Sequence, residues 1–172
     1  TPLAGCFVLE PQVFGDSRGS FMETYNEQRF PAKVHFVQDN QSVSQKGVLR
    51  GLHFQKGAYA QAKLVRVIRG EVLDVAVDIR PNSETFGHHF SIILNAENNK
   101  QLFVPRGFAH GFVVLKDDTI FAYKCDNFYN KEAESGIIYN DPDIAIDWIL
   151  PATEILLSEK DKVLPNLKSI SL

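Results

Sequence analysis

Two polar side chains interrupt an apolar stretch in the first third of the chain. The sequence GVLRGLHFQ, residues 47–55, reads as the inside of a β-sheet except for Arg50 and His53. Apolar surroundings disfavour the charged form of an imidazole, so His53 could accept a proton near neutral pH. A lone histidine in a strand is nevertheless more often structural than catalytic. A guanidinium such as Arg50 offers a planar fork of donors that suits phosphate.

Three further residues could take part in proton transfer, and each also has a simpler structural role open to it. Lys63, in QAKLVRV, could stabilise an enolate oxygen, or could lay its stem on apolar surface. Tyr123, in IFAYKC, could donate a proton, or could be a core aromatic residue. Asp161, in SEKD, could be the acid of a capping box that reaches back to the backbone NH of Ser158.

The sequence lacks the motifs of several other kinds of site. His88 and His89 are adjacent and would face opposite sides of a strand, while His53 and His110 lack the spacing that brings two imidazoles to one ion. We therefore expect no metal. No G-x-S-x-G elbow, P-loop or G-x-G-x-x-G motif occurs, which leaves general acid–base chemistry as the prediction.

The elements that must position these residues are mainly strands. In LDVAVDIR, residues 73–80, apolar side chains alternate with period two. Turn signals at Arg69-Gly70, in the Asn-rich segment 95–99 and at 116–118 separate further β-rich runs. This spacing predicts an antiparallel sandwich or barrel. Helical signals are confined to short segments near the ends, at 25–30 and after Ser158, the predicted N-cap.

Composition and charge fit one ordinary globular domain over residues 1–172. A net charge of −3 gives no reason to expect nucleic acid or an acidic membrane as partner. No apolar run approaches the roughly 20 residues of a membrane span, and the N-terminal residues do not resemble a signal peptide. Two isolated cysteines, Cys6 and Cys125, suit a reducing compartment. We expect a cytoplasmic protein.

Taken together, the motifs resemble those of the dTDP-4-dehydrorhamnose 3,5-epimerase family. The matching segments occur in order through nearly the whole chain: DSRGSF at 16–21, FVQDN at 36–40, GVLRGLHFQ at 47–55, QAKLVRV at 61–67, GEVLDVAVDIR at 70–80, PRGFAHGF at 105–112 and DPDIAIDW at 141–148. The resemblance implies a cupin-like antiparallel jelly roll that works as a homodimer without metal or organic cofactor. Its substrate would be a dTDP-4-keto-6-deoxyhexose.

The resemblance also assigns roles to individual residues. His53 would be the general base, Asp161 would orient it, Lys63 would stabilise the enolate, and Tyr123 would donate a proton on the other face of the sugar. Substrate contacts would come from Arg18, Glu23, Gln38, Asn40, Arg50, His110, Tyr129 (which would stack on thymine), Glu134 and Lys160. Because both Arg50 and His53 would then face the substrate, we predict that Gly51 marks a bulge between them.

The predicted reaction is epimerisation of dTDP-4-keto-6-deoxy-D-glucose at C3 and C5, giving dTDP-4-keto-L-rhamnose for cell-surface polysaccharide biosynthesis. Two alternative functions remain open for a protein of this family resemblance: inversion at C3 alone on a related sugar, and sugar-nucleotide binding by a cupin without activity. A third alternative is a metal-dependent oxygenase with the same kind of barrel, which a metal analysis of the purified protein would test. The presence of His53, Lys63 and Tyr123 argues against the inactive binder, because binding alone needs no acid and base on opposite faces.

Overall fold

The protein was analysed as a computed structural model, which describes residues 1–170. Twelve strands were found: β1 (Phe7–Leu9), β2 (Val13–Asp16), β3 (Gly19–Met22), β4 (Gln38–Ser44), β5 (Leu49–Gln55), β6 (Lys63–Arg69), β7 (Glu71–Asp78), β8 (His89–Asn95), β9 (Gln101–Val104), β10 (Phe108–Val114), β11 (Thr119–Cys125) and β12 (Glu134–Gly136). All neighbouring strands pair in antiparallel fashion. The predicted mainly β class is confirmed. Residues 171 and 172 of the predicted domain lie outside the described part.

Ten of these strands form two five-stranded sheets. The first sheet has the order β1-β9-β6-β11-β4, and the second has the order β12-β5-β10-β7-β8. Apolar side chains from both sheets, such as Val65, Phe112 and Phe121, form one buried cluster between them. Strand β7 is buried on both faces, since Val72 and Ala76 join this inner cluster while Val75 packs on the outside of the second sheet. This inner cluster is the core of the sandwich, and it packs together the strands that carry the functional side chains.

Irregular segments cover the outer faces of both sheets. Aromatic residues of the N-terminal part, including Tyr25 and Phe30, pack on the first sheet. The C-terminal part places Ile144, Trp148 and Leu167 on the second. This arrangement explains why the alternating strand pattern produces buried residues on both sides. It also brings the C-terminal segment close to the central strands.

The two short helices expected near the ends do not form as α-helices. Over 25–30 the chain makes a single turn, because the Asn26 side chain accepts a hydrogen bond from the Gln28 amide and the Tyr25 and Phe30 rings pack edge to face. The helical turns within residues 1–170 are of the 3₁₀ type. They span Gly57–Tyr59, Ala152–Glu154, Asp161–Val163 and Leu167–Ser169.

The predicted turns lie between the predicted strands. Gly70 alone connects β6 to β7 with φ of 82°, and a Cβ there would lie 2.1 Å from Thr119 Oγ1. A side chain at this position is excluded both by backbone conformation and by space. The segments 95–99 and 116–118 connect β8 to β9 and β10 to β11.

Strands β2 and β3 form a hairpin that pairs with neither large sheet. Its apolar side chains are unusually exposed: Val13 is 44% exposed, Phe14 56% and Phe21 70%. Large exposed apolar side chains that lie together are typical of a surface that contacts another molecule.

Candidate functional site

An open cleft of about 700 Å³ lies between the two large sheets, and the C-terminal segment closes one side of it. Seven of the residues singled out from the sequence line this cleft: Arg50, His53, Lys63, His110, Tyr123, Lys160 and Asp161. The apolar lining comes from Phe112, Phe121 and Leu157 among others. The cleft therefore combines a few polar groups with apolar walls, as small-molecule sites usually do.

A bulge in β5 turns Arg50 and His53 into the same cleft. In the pairing of β5 with β10, His53 lies opposite His110 and Arg50 lies opposite Phe112, so β5 contains one extra residue. Gly51 occupies the bulge with φ of 136°, and a Cβ there would lie 2.5 Å from the Cα atom of Gly111. Only glycine fits such a close approach of two backbones. The prediction of a bulge at Gly51 is confirmed.

His53 is hydrogen-bonded to a carboxylate from the far end of the chain. Its Nε2 atom lies 2.6 Å from Asp161 Oδ1. Burial opposes ionisation of Asp161, but hydrogen bonds from His53 and Ser158 outweigh it and lower the pKa of this carboxyl. Nδ1 of His53 forms no hydrogen bond within the described residues. The pair thus holds the imidazole by one nitrogen and leaves the other available to a ligand.

The capping-box interpretation of Asp161 is wrong in its main feature. The Ser158 hydroxyl does accept a hydrogen bond from the Asp161 amide, at 3.1 Å. The carboxylate, however, binds His53 rather than the Ser158 amide. The C-terminal segment is held beside β5 by two backbone hydrogen bonds, from Leu49 N to Leu156 O and from Leu156 N to Gly47 O. These bonds position the 3₁₀ turn that begins at Asp161.

Lys63 and Tyr123 face His53 from the first sheet. They stand on the adjacent strands β6 and β11, with the Lys63 Nζ atom 6.0 Å from the centre of the Tyr123 ring. Burial lowers the pKa of Lys63, and burial likewise raises the pKa of Tyr123. A phenol with a raised pKa stays protonated at neutral pH and can donate a proton.

A second histidine–carboxylate pair lies beside the first. Its histidine was predicted from the sequence as a site residue, but its carboxylate was not. His110 Nε2 is 3.0 Å from both carboxylate oxygens of Asp74, and Asp74 is 0% exposed. The alternation in LDVAVDIR marks Asp74 only as a polar position of a strand. Its signal in the sequence was weak: a carboxylate inside a run that is apolar on both faces needs a partner.

Five of the expected substrate contacts are joined to one another by hydrogen bonds and an ion pair, and one of them, Lys160, lines the cleft. Tyr129 OH donates to Glu134 Oε2 at 3.0 Å, and Lys160 Nζ lies 2.6 Å from Glu134 Oε1. Gln38 accepts a hydrogen bond from the Tyr129 amide and donates to Asn40. The Tyr129 side chain is itself largely exposed. These five residues form a connected polar group next to the acid–base residues.

Arg18 and Glu23 are not brought to this cleft. Arg18 is held on the β2–β3 hairpin by an ion pair with Asp16, and its side chain is 87% exposed. Glu23 forms a pair with Arg29 and accepts a hydrogen bond from Asn26. Within residues 1–170 of a single chain, these two residues therefore form no hydrogen bond or ion pair with the other site residues.

Other features of the described residues bear on the sequence-based expectations. No group of three or more His, Cys, Asp or Glu side chains in 1–170 is arranged to hold a metal ion. Over the same range, no helix is long and apolar enough to cross a membrane. Cys6 and Cys125 are free and buried, and burial raises the pKa of each thiol to about 11.

The fold and the site define a cupin-like β-sandwich with an acid–base cleft between its sheets, and comparison with known proteins identifies its family. The family model for dTDP-4-dehydrorhamnose 3,5-epimerase matches residues 1–169. An Escherichia coli protein of that name is 52% identical over 175 residues, covering 99% of this chain and 94% of its own. The chain belongs to the dTDP-4-dehydrorhamnose 3,5-epimerase family.

Solved structures agree with this assignment. The crystal structure of dTDP-4-dehydrorhamnose 3,5-epimerase from Elizabethkingia anophelis is 57% identical with a TM-score of 0.95, covering 98% of this chain and 94% of the other. A Legionella pneumophila 3,5-epimerase in complex with dTDP-4-keto-L-rhamnose is 47% identical with a TM-score of 0.94, covering 99% and 92%. The resemblance inferred from motifs is confirmed.

Proposed function

We propose that this protein converts dTDP-4-keto-6-deoxy-D-glucose to dTDP-4-keto-L-rhamnose by inverting C3 and C5. One observation carries the proposal: His53, bonded to Asp161, lies on one wall of the cleft, and Lys63 and Tyr123 lie on the other. Membership of the epimerase family supports the choice of substrate. The structural similarity to a relative that binds dTDP-4-keto-L-rhamnose supports it further.

The first step is removal of a proton next to the ketone. A carbonyl at C4 acidifies the hydrogens on C3 and C5, and Nδ1 of His53 accepts one of them. The negative charge that develops on the C4 oxygen is stabilised by Lys63. Asp161 fixes the imidazole tautomer and favours the imidazolium that forms.

The second step returns a proton to the opposite face. Tyr123 stands on the other sheet and donates its phenolic proton to the carbon, which inverts that centre. Proton exchange with solvent then returns His53 to the neutral imidazole and Tyr123 to the phenol, and the same base and acid act on the second carbon. In this mechanism neither a metal nor an organic cofactor takes part.

Substrate binding uses the other residues that the family resemblance assigns to substrate contacts. Arg50 contacts the diphosphate through charge-assisted hydrogen bonds. Tyr129, whose side chain is largely exposed, stacks on the thymine base. Further polar contacts come from Gln38, Asn40, His110, Glu134 and Lys160.

Arg18 and Glu23 act in a homodimer. Their hairpin pairs with neither sheet of its own chain and exposes Phe14 and Phe21. Strand β4 is the edge of the first sheet and leaves one row of backbone groups without a partner strand. We infer that each protomer's hairpin packs on its partner and carries Arg18 and Glu23 to the partner's cleft.

We also propose that the protein is cytoplasmic. The two free thiols support this location.

Incubation with the 4-keto sugar nucleotide in D₂O tests the reaction. Deuterium at both C3 and C5, with formation of the L-sugar, is the expected result, and the rate is expected to be unchanged by a chelator. Deuterium at C3 alone would identify a 3-epimerase instead. Binding of the nucleotide without any exchange would identify a non-catalytic binder.

A further inference from the structure

The inward face of strand β4 carries a row of polar side chains. Gln38, Asn40, Ser42 and Ser44 alternate with more exposed residues along this strand, so all four point to the interior between the sheets. Of the four, Ser42 lines the cleft directly. No role for Ser42 follows from the acid–base mechanism or from the substrate contacts described above.

Ser42 differs from its three neighbours in hydrogen bonding. Gln38 bonds to Asn40 and to the Tyr129 amide, Asn40 donates to the Cys125 sulfur, and Ser44 accepts from Arg50. The Ser42 hydroxyl oxygen is buried and has no hydrogen-bond partner within residues 1–170. An unpaired buried hydroxyl is unfavourable, and most such groups in proteins are satisfied.

The surroundings of Ser42 indicate what could satisfy it. The next inward residue of β4 is Ser44, whose hydroxyl is 3.3 Å from Arg50 Nη2. Two residues along a strand span roughly 7 Å. On the other side, Ser42 lies opposite Phe121 in the pairing of β4 with β11. An aromatic ring offers no good acceptor, and β4 is the edge strand of its sheet, which leaves a ligand in the cleft that Ser42 and Arg50 both line as the partner for this hydroxyl.

The Ser42 hydroxyl is not restricted to one position. Ser42 as a residue is only partly buried, and rotation about its single Cα–Cβ bond moves the hydroxyl between staggered positions. A hydroxyl beside a guanidinium is a suitable additional donor for a diphosphate, whose oxygens accept several hydrogen bonds at once.

We propose that Ser42 donates a hydrogen bond to the diphosphate of the bound sugar nucleotide, next to Arg50. This inference rests on the proposed function, because it takes the diphosphate to be the group that Arg50 binds. Ser42 thereby contributes to binding and not to the proton transfers, which take place between His53 and Tyr123.

Binding of dTDP to the full-length protein tests the proposal. For Ser42→Ala we expect the dissociation constant for dTDP to rise about tenfold, because one hydrogen bond to a charged group is lost. The Tm of the ligand-free variant should be unchanged or higher, since no hydrogen bond of the free protein is removed. Ser42→Thr keeps the hydroxyl and should bind dTDP within about twofold of the unaltered protein.

Ser91→Ala is the matched control. Ser91 lies opposite Val75 on β8, away from the cleft, so the same substitution there should leave dTDP binding unchanged. Unaltered affinity in Ser42→Ala would overturn the proposal and leave the proposed function standing. The proposal would also be overturned if Ser42→Ala lowered the Tm and Ser42→Thr failed to restore dTDP binding, because Ser42 would then have a structural role. If the unaltered protein exchanges no deuterium from D₂O, the proposed reaction fails, whatever the result at Ser42.

Discussion

Two histidine–carboxylate pairs lie in one cleft, and they differ in how they are built. In the first, the His53 side chain is 26% exposed and its partner Asp161 comes from the C-terminal 3₁₀ turn. In the second, His110 and Asp74 stand on the neighbouring central strands β10 and β7, and the side chains are 6% and 0% exposed. The chemistry of the groups is the same, but their access to a ligand is not.

This difference indicates a division of work between the pairs. His53 bonds to Asp161 through Nε2 only, so the imidazole is held in place yet open to the cleft. His110 is bonded to both oxygens of Asp74 and packed beside the Phe121 ring, which fixes its orientation. A proton acceptor needs access to the substrate, whereas a fixed hydrogen-bond partner needs rigidity. We therefore expect the first pair to set the rate and the second to set binding and stability.

The largest effect should follow removal of the accessible imidazole. His53→Ala should lower kcat by roughly 10³-fold, because general base catalysis is lost while the fold is kept. Deuterium exchange at C3, with circular dichroism as a check on folding, measures this. His110→Ala should raise KM and leave kcat within roughly tenfold.

His35→Ala provides the control for the histidine substitutions. His35 is exposed, is paired with Glu27 and does not line the cleft, so its removal should not change turnover. Near-normal exchange in His53→Ala would contradict the assignment of the base. Equal losses of kcat from His53→Ala and His110→Ala would remove the distinction between the pairs.

The next effect concerns the carboxylate of the first pair. Asp161→Asn should lower kcat by roughly 10²-fold to 10³-fold, because the amide cannot stabilise the imidazolium and favours the wrong tautomer. Steady-state kinetics with the 4-keto sugar nucleotide measures it. An unchanged kcat would show that His53 does not need the charge of Asp161.

Sequence reasoning could foresee the first pair only through a family resemblance. Asp161 and His53 lie 108 positions apart, and the local SEKD pattern favoured a capping box. What joins them is the pairing of the chain near Leu156 with the start of β5, a long-range contact that no local pattern contains. The strands themselves, and the turn at Gly70, follow from local alternation and turn chemistry and were foreseen.

The second pair and the position of the hairpin could not be predicted from the sequence, for other reasons. Asp74 reads as the solvent side of an alternating strand, and its burial depends on both faces of β7 being covered. The bulge at Gly51 was foreseen because two functional side chains an odd number of residues apart had to share one face. Arg18 belongs to a hairpin apart from both sheets, so its motif gives no indication of whether it reaches the cleft of its own chain.

A smaller effect, on stability rather than rate, should mark the second pair. Asp74→Ala should lower the free energy of unfolding by roughly 2–3 kcal/mol, because it leaves His110 without its buried partner. Denaturant titration measures this. Asp161→Ala should cost less stability, since the His53 side chain that it leaves unpaired is 26% exposed and can be hydrated from the cleft. Stability losses in the reverse order would contradict the view of the second pair as the rigid one.

The smallest effect should be a pH dependence of the stability that the first pair contributes. The folded-state pKa of Asp161 is lowered, so the stability that its ionised form contributes is fully present above the unfolded value of about 3.9. That contribution is lost as the pH falls through the folded-state pKa. The difference in unfolding free energy between the unaltered protein and Asp161→Asn should thus shrink as the pH falls below about 4. Denaturant titrations at each pH measure it. A difference that persists unchanged at pH 3 would show that the bond to His53 does not depend on an ionised Asp161, and the two pairs would then differ in access alone.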